Sequence, residues 1–122
     1  MAPFVDDPIA FLGGRGPDFK IVNDQALRPM LEAAMIAALS GGSDGMAQDL
    51  VSMWLPFGFA LAEIARPVHV FQGGLDRDNH ADARILAEQI PNAALTIWPD
   101  LGHFAILRRF PEVVASVLPD GR

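Results

Sequence analysis

Two short apolar runs separated by a helical segment constrain the fold of this chain more than any other feature. Val68–Phe71 precedes a glycine pair, and Ala94–Trp98 precedes a proline turn. Runs of this length are typical of strands in a buried parallel sheet. Residues 80–90 between them have helical apolar spacing, and Pro111 is expected in the first turn of a last helix. This order predicts an α/β fold with a parallel βαβα unit and a right-handed crossover.

The first half of the chain has a different character. Residues 1–22 are rich in glycine and proline and predict irregular structure. Apolar residues recur every four positions from Leu27 to Leu39, which predicts a helix ended by a glycine pair. A weaker helical segment, Met46–Met53, and a short helical turn up to Ala65 follow. We therefore predict a helical segment over residues 1–66 and a βαβα unit over residues 67–122.

The composition excludes several classes of function. Fifteen acidic and nine basic residues give a formal charge of −6 without a basic patch, which argues against nucleic-acid binding. The sequence has no cysteine, so a disulfide scaffold is excluded and a reducing compartment is expected. The start lacks the pattern of a secretory signal, and no apolar stretch is long enough to span a bilayer. We expect a cytoplasmic protein with no membrane partner.

The apolar content is high for a chain of this length. Hydrophobic residues make up 51% of the 122 residues, and a small domain buries only a limited fraction of its surface. Two strands also do not form a stable parallel sheet by themselves, and residues 1–66 contain no convincing strand. Both observations lead us to expect self-association or a missing N-terminal half that completes the sheet.

The loops that follow the two strands contain the residues able to perform chemistry. Gly73-Gly-Leu-Asp76 follows the first strand, and Asp100-Leu-Gly-His103 follows the second. Parallel strands lie about 4.8 Å apart and end at the same edge, so a carboxylate and an imidazole can meet there. Such a pair can act as the orienting acid and general base of a nucleophilic hydrolase. The alternative is a solvated aspartate beside a histidine that only packs.

Three segments together resemble the C-terminal end of the α/β-hydrolase fold. They are Pro67-Val-His-Val-Phe-Gln-Gly-Gly-Leu-Asp76, Ala87-Glu-Gln-Ile-Pro-Asn-Ala-Ala-Leu95 and Leu101-Gly-His-Phe104. That family has a proline-led strand, a G-x-x-D loop with the catalytic acid, a helix, a further strand and a G-H loop with the catalytic histidine. The resemblance covers residues 67–118, and residues 42–49 and 54–64 resemble the cap region of bacterial members.

The resemblance implies roles for individual residues. Asp76 would be the catalytic acid and His103 the catalytic base, with Asp78 as the reserve acid because Asn79 and His80 replace the usual "vP" after the acid loop. The complete enzyme would hydrolyse an ester, amide or similar bond in a small apolar substrate, with no metal or organic cofactor. The nucleophile would come from residues outside this chain. The alternative from another class is a non-catalytic module that self-associates through its open sheet edge.

One serine matches the nucleophile motif of the family by its letters alone. Gly41-Gly-Ser43-Asp-Gly45 satisfies the G-x-S-x-G pattern. A nucleophile elbow requires a preceding strand, whereas residues 31–39 predict an alanine-rich helix. We therefore interpret Ser43 as part of a turn after a helix, and a minimal hydrolase that uses Ser43 remains a second alternative.

The loop from Asp76 to Asp82 also has the alternating acidic residues of a metal-binding loop. The calcium-loop pattern requires glycine and glutamate at the positions of Ala81 and Ala87, so we expect no metal site here. His69, inside the first strand, is expected to be a core or interface histidine. A set of large apolar residues predicts either a pocket lining or plain core: Met30, Met35, Met46, Met53, Trp54, Phe57 and Phe59.

Overall fold

A computed structural model of the protein describes residue 9, residues 16–77 and residues 79–118. These residues form helices and a small parallel sheet, which confirms the predicted mixed α/β class. The chain divides into two compact units. Phe19–Phe59 belong to a helical unit, whereas Gly16–Asp18 and the chain from Ala60 onward belong to a unit that contains the sheet.

The helical unit contains helices α1 (Phe19–Val22), α2 (Arg28–Leu39) and α3 (Asp44–Ser52). Helix α2 confirms the prediction from the four-residue apolar spacing. An ion pair between Arg28 and Glu32 stabilises its first turns, with the Nε and Oε1 atoms 2.8 Å apart. The helix ends before Gly42, whose φ of +96° is a left-handed conformation that glycine adopts without strain.

None of the seven large apolar residues that predicted a core or a pocket lining is buried. No residue of α2 or α3 is buried. After α3 the chain exposes 77% of Met53, 88% of Trp54 and 67% of Phe57. The interpretation of these side chains as plain core is therefore wrong for this chain, because no second apolar layer in the described residues covers them.

The second unit contains a 3₁₀ turn (Leu61–Glu63), strand β1 (Val68–Gly73), helix α4 (His80–Gln89), strand β2 (Ala93–Trp98) and helix α5 (Ala105–Val117). The strands pair in parallel, with a register that runs from Val68 opposite Ala93 to Gly73 opposite Trp98. The predicted parallel βαβα unit is therefore confirmed. Each strand has one partner among the described residues, so both outer edges of the sheet are open there.

Helices α4 and α5 supply the packing of this unit. Helix α4 contacts both strands, and helix α5 contacts β1. The buried hydrophobic residues of this unit are Ala83 of α4, Ile90, Trp98 of β2 and Ala105 of α5. The Trp98 indole donates a hydrogen bond from Nε1 to Oε1 of Glu112 in α5 at 3.2 Å. This bond satisfies the polar atom of a buried ring and ties the end of β2 to the last helix.

The predicted start of the last helix is wrong. Pro111 lies inside α5, which begins six residues earlier at Ala105. A proline inside a helix costs roughly 3 kcal/mol because it removes one hydrogen bond and crowds the preceding turn. Residues 105–110 (Ala-Ile-Leu-Arg-Arg-Phe) include strong helix formers and begin directly after the β2 loop. The helix therefore starts at that loop and continues through the proline.

His69 is exposed, so a core position is wrong for it, and an interface position stays a prediction. Its ring stacks on Phe71 with centroids 4.1 Å apart, and Nε2 lies 2.9 Å from Oγ1 of Thr96 on the neighbouring strand. The ring is thus held by neighbours on its own sheet without being covered.

Within the described residues, no helix combines the length and the apolar character needed to cross a membrane.

Candidate functional site

Two loops leave the carboxyl end of the sheet, one after each strand, and backbone hydrogen bonds join them. The amide of Gly74 donates to the carbonyl of Trp98 at 2.7 Å, and the amide of Leu75 donates to the carbonyl of Leu101 at 2.9 Å. The contact between neighbouring chain segments therefore continues past the ends of β1 and β2. It places the loop after β1 directly beside the loop after β2.

Glycine allows close approaches at two positions around these loops. A Cβ atom added to Gly73 would overlap the carbonyl oxygen of Gly102 and lie 2.7 Å from that of Leu101. A Cβ atom added to Gly102 would in turn overlap the carboxylate of Asp18. A larger residue at position 73 would force the two loops apart, whereas one at position 102 would displace the Asp18 side chain.

The loops bring Asp76 and His103 into direct contact. Nδ1 of His103 lies 2.9 Å from Oδ2 of Asp76. The Asp76 side chain is only 8% exposed, whereas the His103 side chain is 61% exposed. An acceptor-only carboxylate at this distance favours the tautomer with the proton on Nδ1. The other ring nitrogen, Nε2, is then left with a lone pair that can accept a proton.

Asn79 is a further residue of the site, and the sequence reasoning did not assign it a role. Its Nδ2 lies 3.1 Å from Oδ2 and 3.3 Å from Oδ1 of Asp76, and 3.3 Å from Nδ1 of His103. Asn79 is the residue just before α4, a position where asparagine is common. Its side chain makes no capping bond to α4 and binds Asp76 instead, so no local pattern signalled this role.

The environment keeps Asp76 ionised. Burial by itself would raise the pKa of the Asp76 carboxyl, because a charge is poorly solvated there. Hydrogen bonds from the His103, Asn79 and Gln72 side chains, together with the charge of protonated His103, outweigh burial and lower this pKa below its usual value. The site therefore holds a shielded carboxylate against an exposed imidazole.

A small cavity of about 150 Å³ adjoins the pair. This volume is large enough to hold a group the size of a benzene ring. Its lining combines four polar side chains with four apolar ones: Asp76, His103, Asn79 and Gln72, with Phe71, Trp98, Ala105 and Ile106.

Asp18 lies beneath the His103 loop and was missed entirely, since residues 1–22 predicted only irregular structure. Its Oδ2 accepts the backbone N–H of His103 at 2.9 Å, and its Oδ1 accepts that of Phe104 at 2.8 Å. The residue is 8% exposed. No local pattern could have found a contact between residues 85 positions apart.

Ser43 lies between α2 and α3, at the residue before α3 begins, and therefore follows a helix rather than a strand. It belongs to the helical unit, whereas Asp76 and His103 belong to the unit with the sheet. The hydroxyl groups of the other serines bind helix carbonyls within their own helices or helix ends: Ser40 binds Ala37, Ser52 binds Gln48 and Ser116 binds Val113.

Two other expectations concern the loop after β1. Asp78, the reserve acid, lies outside the described residues. Over residues 16–77 and 79–118, histidine and carboxylate side chains form no group of three or more that could hold a metal ion.

Comparisons with known proteins give no relative from which a function could be transferred. No family model, no curated protein and no solved structure matches this chain.

Proposed function

We propose that this chain supplies the general base and the orienting acid of a hydrolase of the α/β-hydrolase family. The observation that carries the proposal is the hydrogen bond from His103 to the shielded carboxylate of Asp76, at the carboxyl ends of two parallel strands. In open α/β sheets this edge is where ligands bind. The resemblance of residues 67–118 to the end of that fold supports the same roles.

In the proposed reaction, a nucleophilic hydroxyl attacks the carbonyl carbon of an ester or amide while its proton passes to Nε2 of His103. The imidazolium then has a proton on each nitrogen, and the Asp76 carboxylate stabilises its charge through the Nδ1 bond. Nε2 returns the proton to the leaving group as the bond between the carbonyl carbon and the leaving group breaks. Water hydrolyses the acyl intermediate by the same sequence, with Nε2 again taking and returning a proton. These steps need neither a metal nor an organic cofactor.

We propose that the nucleophile comes from a second polypeptide segment with a strand, a G-x-S-x-G elbow and a helix. In support, Ser40, Ser52 and Ser116 use their hydroxyl groups within helical segments, and Thr96 lies against His69. A strand from such a segment would also pair with an open edge of the sheet.

The cavity supports a small substrate with an apolar portion. Its volume of about 150 Å³ fits a short acyl or aromatic group, and Phe71, Trp98 and Ile106 would contact that group. The polar lining includes Asp76 and His103, beside which the reacting bond would be placed. The lack of cysteine agrees with a reducing compartment, and we place the protein in the cytoplasm.

The test is reconstitution of a hydrolase. The chain would be co-expressed with an N-terminal α/β-hydrolase half that carries the elbow serine, and hydrolysis of short p-nitrophenyl esters would be measured. We expect His103→Ala to lower kcat on the order of a thousandfold or more. His69→Ala is the matched control, because His69 is an exposed histidine of the same unit that lies outside the site. Turnover that survives His103→Ala would contradict the proposal.

A second candidate function is favoured by one specific observation. The segment after α3 exposes large apolar side chains, among them Trp54 at 88%. Exposed apolar patches of several hundred Å² are typical of interaction sites. We propose as the alternative that the chain is a self-associating module without catalysis. In that case substitutions at Trp54 would abolish assembly, and substitutions at His103 would change nothing that can be measured.

A further inference from the structure

We infer that Asp18 is a positioning residue that holds the backbone of His103 in the place where its imidazole can bind Asp76. The contacts of Asp18 are properties of the fold, and their importance for catalysis rests on the proposed function. Asp18 does not line the cavity, so it acts through His103 rather than on a substrate.

Both oxygens of the Asp18 carboxylate are used. One accepts the N–H of His103 at 2.9 Å, and the other accepts the N–H of Phe104 at 2.8 Å. Phe104 is the residue before helix α5, whose first turn has backbone N–H groups without partners inside the helix. Asp18 therefore caps α5 from a distant part of the chain, and its negative charge is favourable at the positive end of the helix.

The packing around Asp18 explains why the carboxylate can reach these two amides. The side chain lies against the Cα of Gly102, where any side chain at position 102 would overlap it. The carbonyl of Gly102 in turn lies against Gly73, at the end of β1. A continuous series of close contacts thus runs from Asp18 through the His103 loop to the strand that precedes Asp76.

This arrangement fixes the ring of His103 from two sides. Its main chain is held by Asp18, and its Nδ1 is held by Asp76. An exposed histidine without these restraints would sample several rotamers, since little else covers it. The two carboxylates have different tasks: Asp76 selects the tautomer, and Asp18 selects the position of the backbone.

The experiment compares the full-length chain with Asp18→Asn, Asp18→Ala and the control Asp100→Asn, which changes an exposed aspartate in the turn before His103. Hydrogen–deuterium exchange at single-residue resolution would follow the amides of His103 and Phe104. The ¹⁵N signals of the imidazole rings would report the Nδ1 hydrogen bond, with His69 and His80 as internal references. Hydrogen bonds to charged groups are strong enough that Asp18→Ala should accelerate exchange of both amides about tenfold or more.

We expect Asp18→Asn, with one side-chain oxygen, to protect only one of the two amides. In both Asp18 variants the imidazole signals of His103 should move toward a mixture of tautomers, while Asp100→Asn should match the wild type. Unchanged signals of His103 in a folded Asp18→Asn variant would overturn the inference. If the variants fail to fold, a scalar coupling through the hydrogen bond, from the His103 amide nitrogen to the Asp18 carboxyl carbon, decides the question in the wild type, and its absence would overturn the inference.

These readouts do not depend on turnover. If a reconstituted hydrolase keeps its activity in the His103→Ala variant, the proposed function is refuted, and the contacts of Asp18 are unaffected by that result. If the Asp18 variants leave the amide exchange and the imidazole signals of His103 unchanged while turnover still depends on His103, only the inference about Asp18 is refuted.

Discussion

Substitution of Gly73 by alanine should disrupt the site through the backbone alone. The added Cβ would overlap the carbonyl oxygen of Gly102 and lie 2.7 Å from that of Leu101 and 2.8 Å from the carbonyl carbon of Gly102. Ordinary contacts of a carbon atom are about 3.5 Å or longer, so the two loops must separate by roughly 1 Å. All the atoms involved are backbone, and no side-chain rotation can relieve the overlap.

The expected cost has two parts. Overpacking of this kind typically destabilises a protein by about 1–3 kcal/mol. Separation of the loops also stretches the bonds that join them, including the one of 2.9 Å from Leu75 to Leu101, each worth about 1 kcal/mol. We therefore expect Gly73→Ala to lower the free energy of unfolding by about 2–4 kcal/mol. A displacement of this size also exceeds the tolerance of about 0.5 Å that functional geometry allows, so Asp76 and His103 should lose their hydrogen bond.

Urea denaturation followed by circular dichroism measures the first effect, and the ¹⁵N signals of the His103 imidazole measure the second. The matched control is Gly45→Ala in α3, where an added Cβ would meet nothing within 4 Å. Alanine is the better helix former, so this control should be neutral or slightly stabilising. Equal stability of Gly73→Ala and the wild type, with unchanged imidazole signals, would refute the close packing of the two loops.

Three further predictions concern charge, chemistry and assembly. The folded state lowers the pKa of Asp76, so the ionised carboxylate stabilises the fold at pH values above 3.8, the usual pKa of this group. The contribution is lost as the pH falls through the lowered pKa. The difference in free energy of unfolding between the wild type and Asp76→Asn should therefore shrink when denaturation is measured at increasingly acidic pH. The isolated wild-type chain should hydrolyse p-nitrophenyl esters no faster than its own His103→Ala variant. If the wild type does turn over these esters and Ser43→Ala abolishes the activity, the minimal hydrolase is favoured instead. Size-exclusion chromatography should show a dimer or larger species that Trp54→Ser shifts toward monomer; a compact monomer that binds no ANS would contradict this expectation.

The elements that sequence reasoning predicted depend on local patterns. The four-residue spacing from Leu27 to Leu39 marks α2, because one side of a helix repeats with that period. The two apolar runs mark β1 and β2 because each is short, contains β-branched and aromatic residues and is followed by glycine or proline. Parallel strands that end at one edge then brought Asp76 and His103 together without any knowledge of the remaining fold.

The errors arise where two local preferences compete or where a residue's partners are distant in the sequence. Pro111 favours a helix start, but the helix formers between the β2 loop and the proline begin α5 at Ala105. His69 lies in an apolar run that predicted burial, yet its ring is exposed and held by Phe71 and Thr96. Asp18 gave no local signal at all, because its partners lie 85 and 86 residues away.

The contrast in exposure between Asp76 and His103 suits the roles that we propose for them. An orienting carboxylate acts best where water cannot compete for its oxygens, and only 8% of the Asp76 side chain is exposed. A base must instead be reached by the group that it deprotonates, and 61% of the His103 side chain is exposed. Together these conditions require the Asp76 side chain to be buried and the His103 side chain to be exposed while the two stay within hydrogen-bond distance. Gly73 permits the approach of the two loops, and Gly102 leaves room for Asp18, which binds the backbone amides of His103 and Phe104.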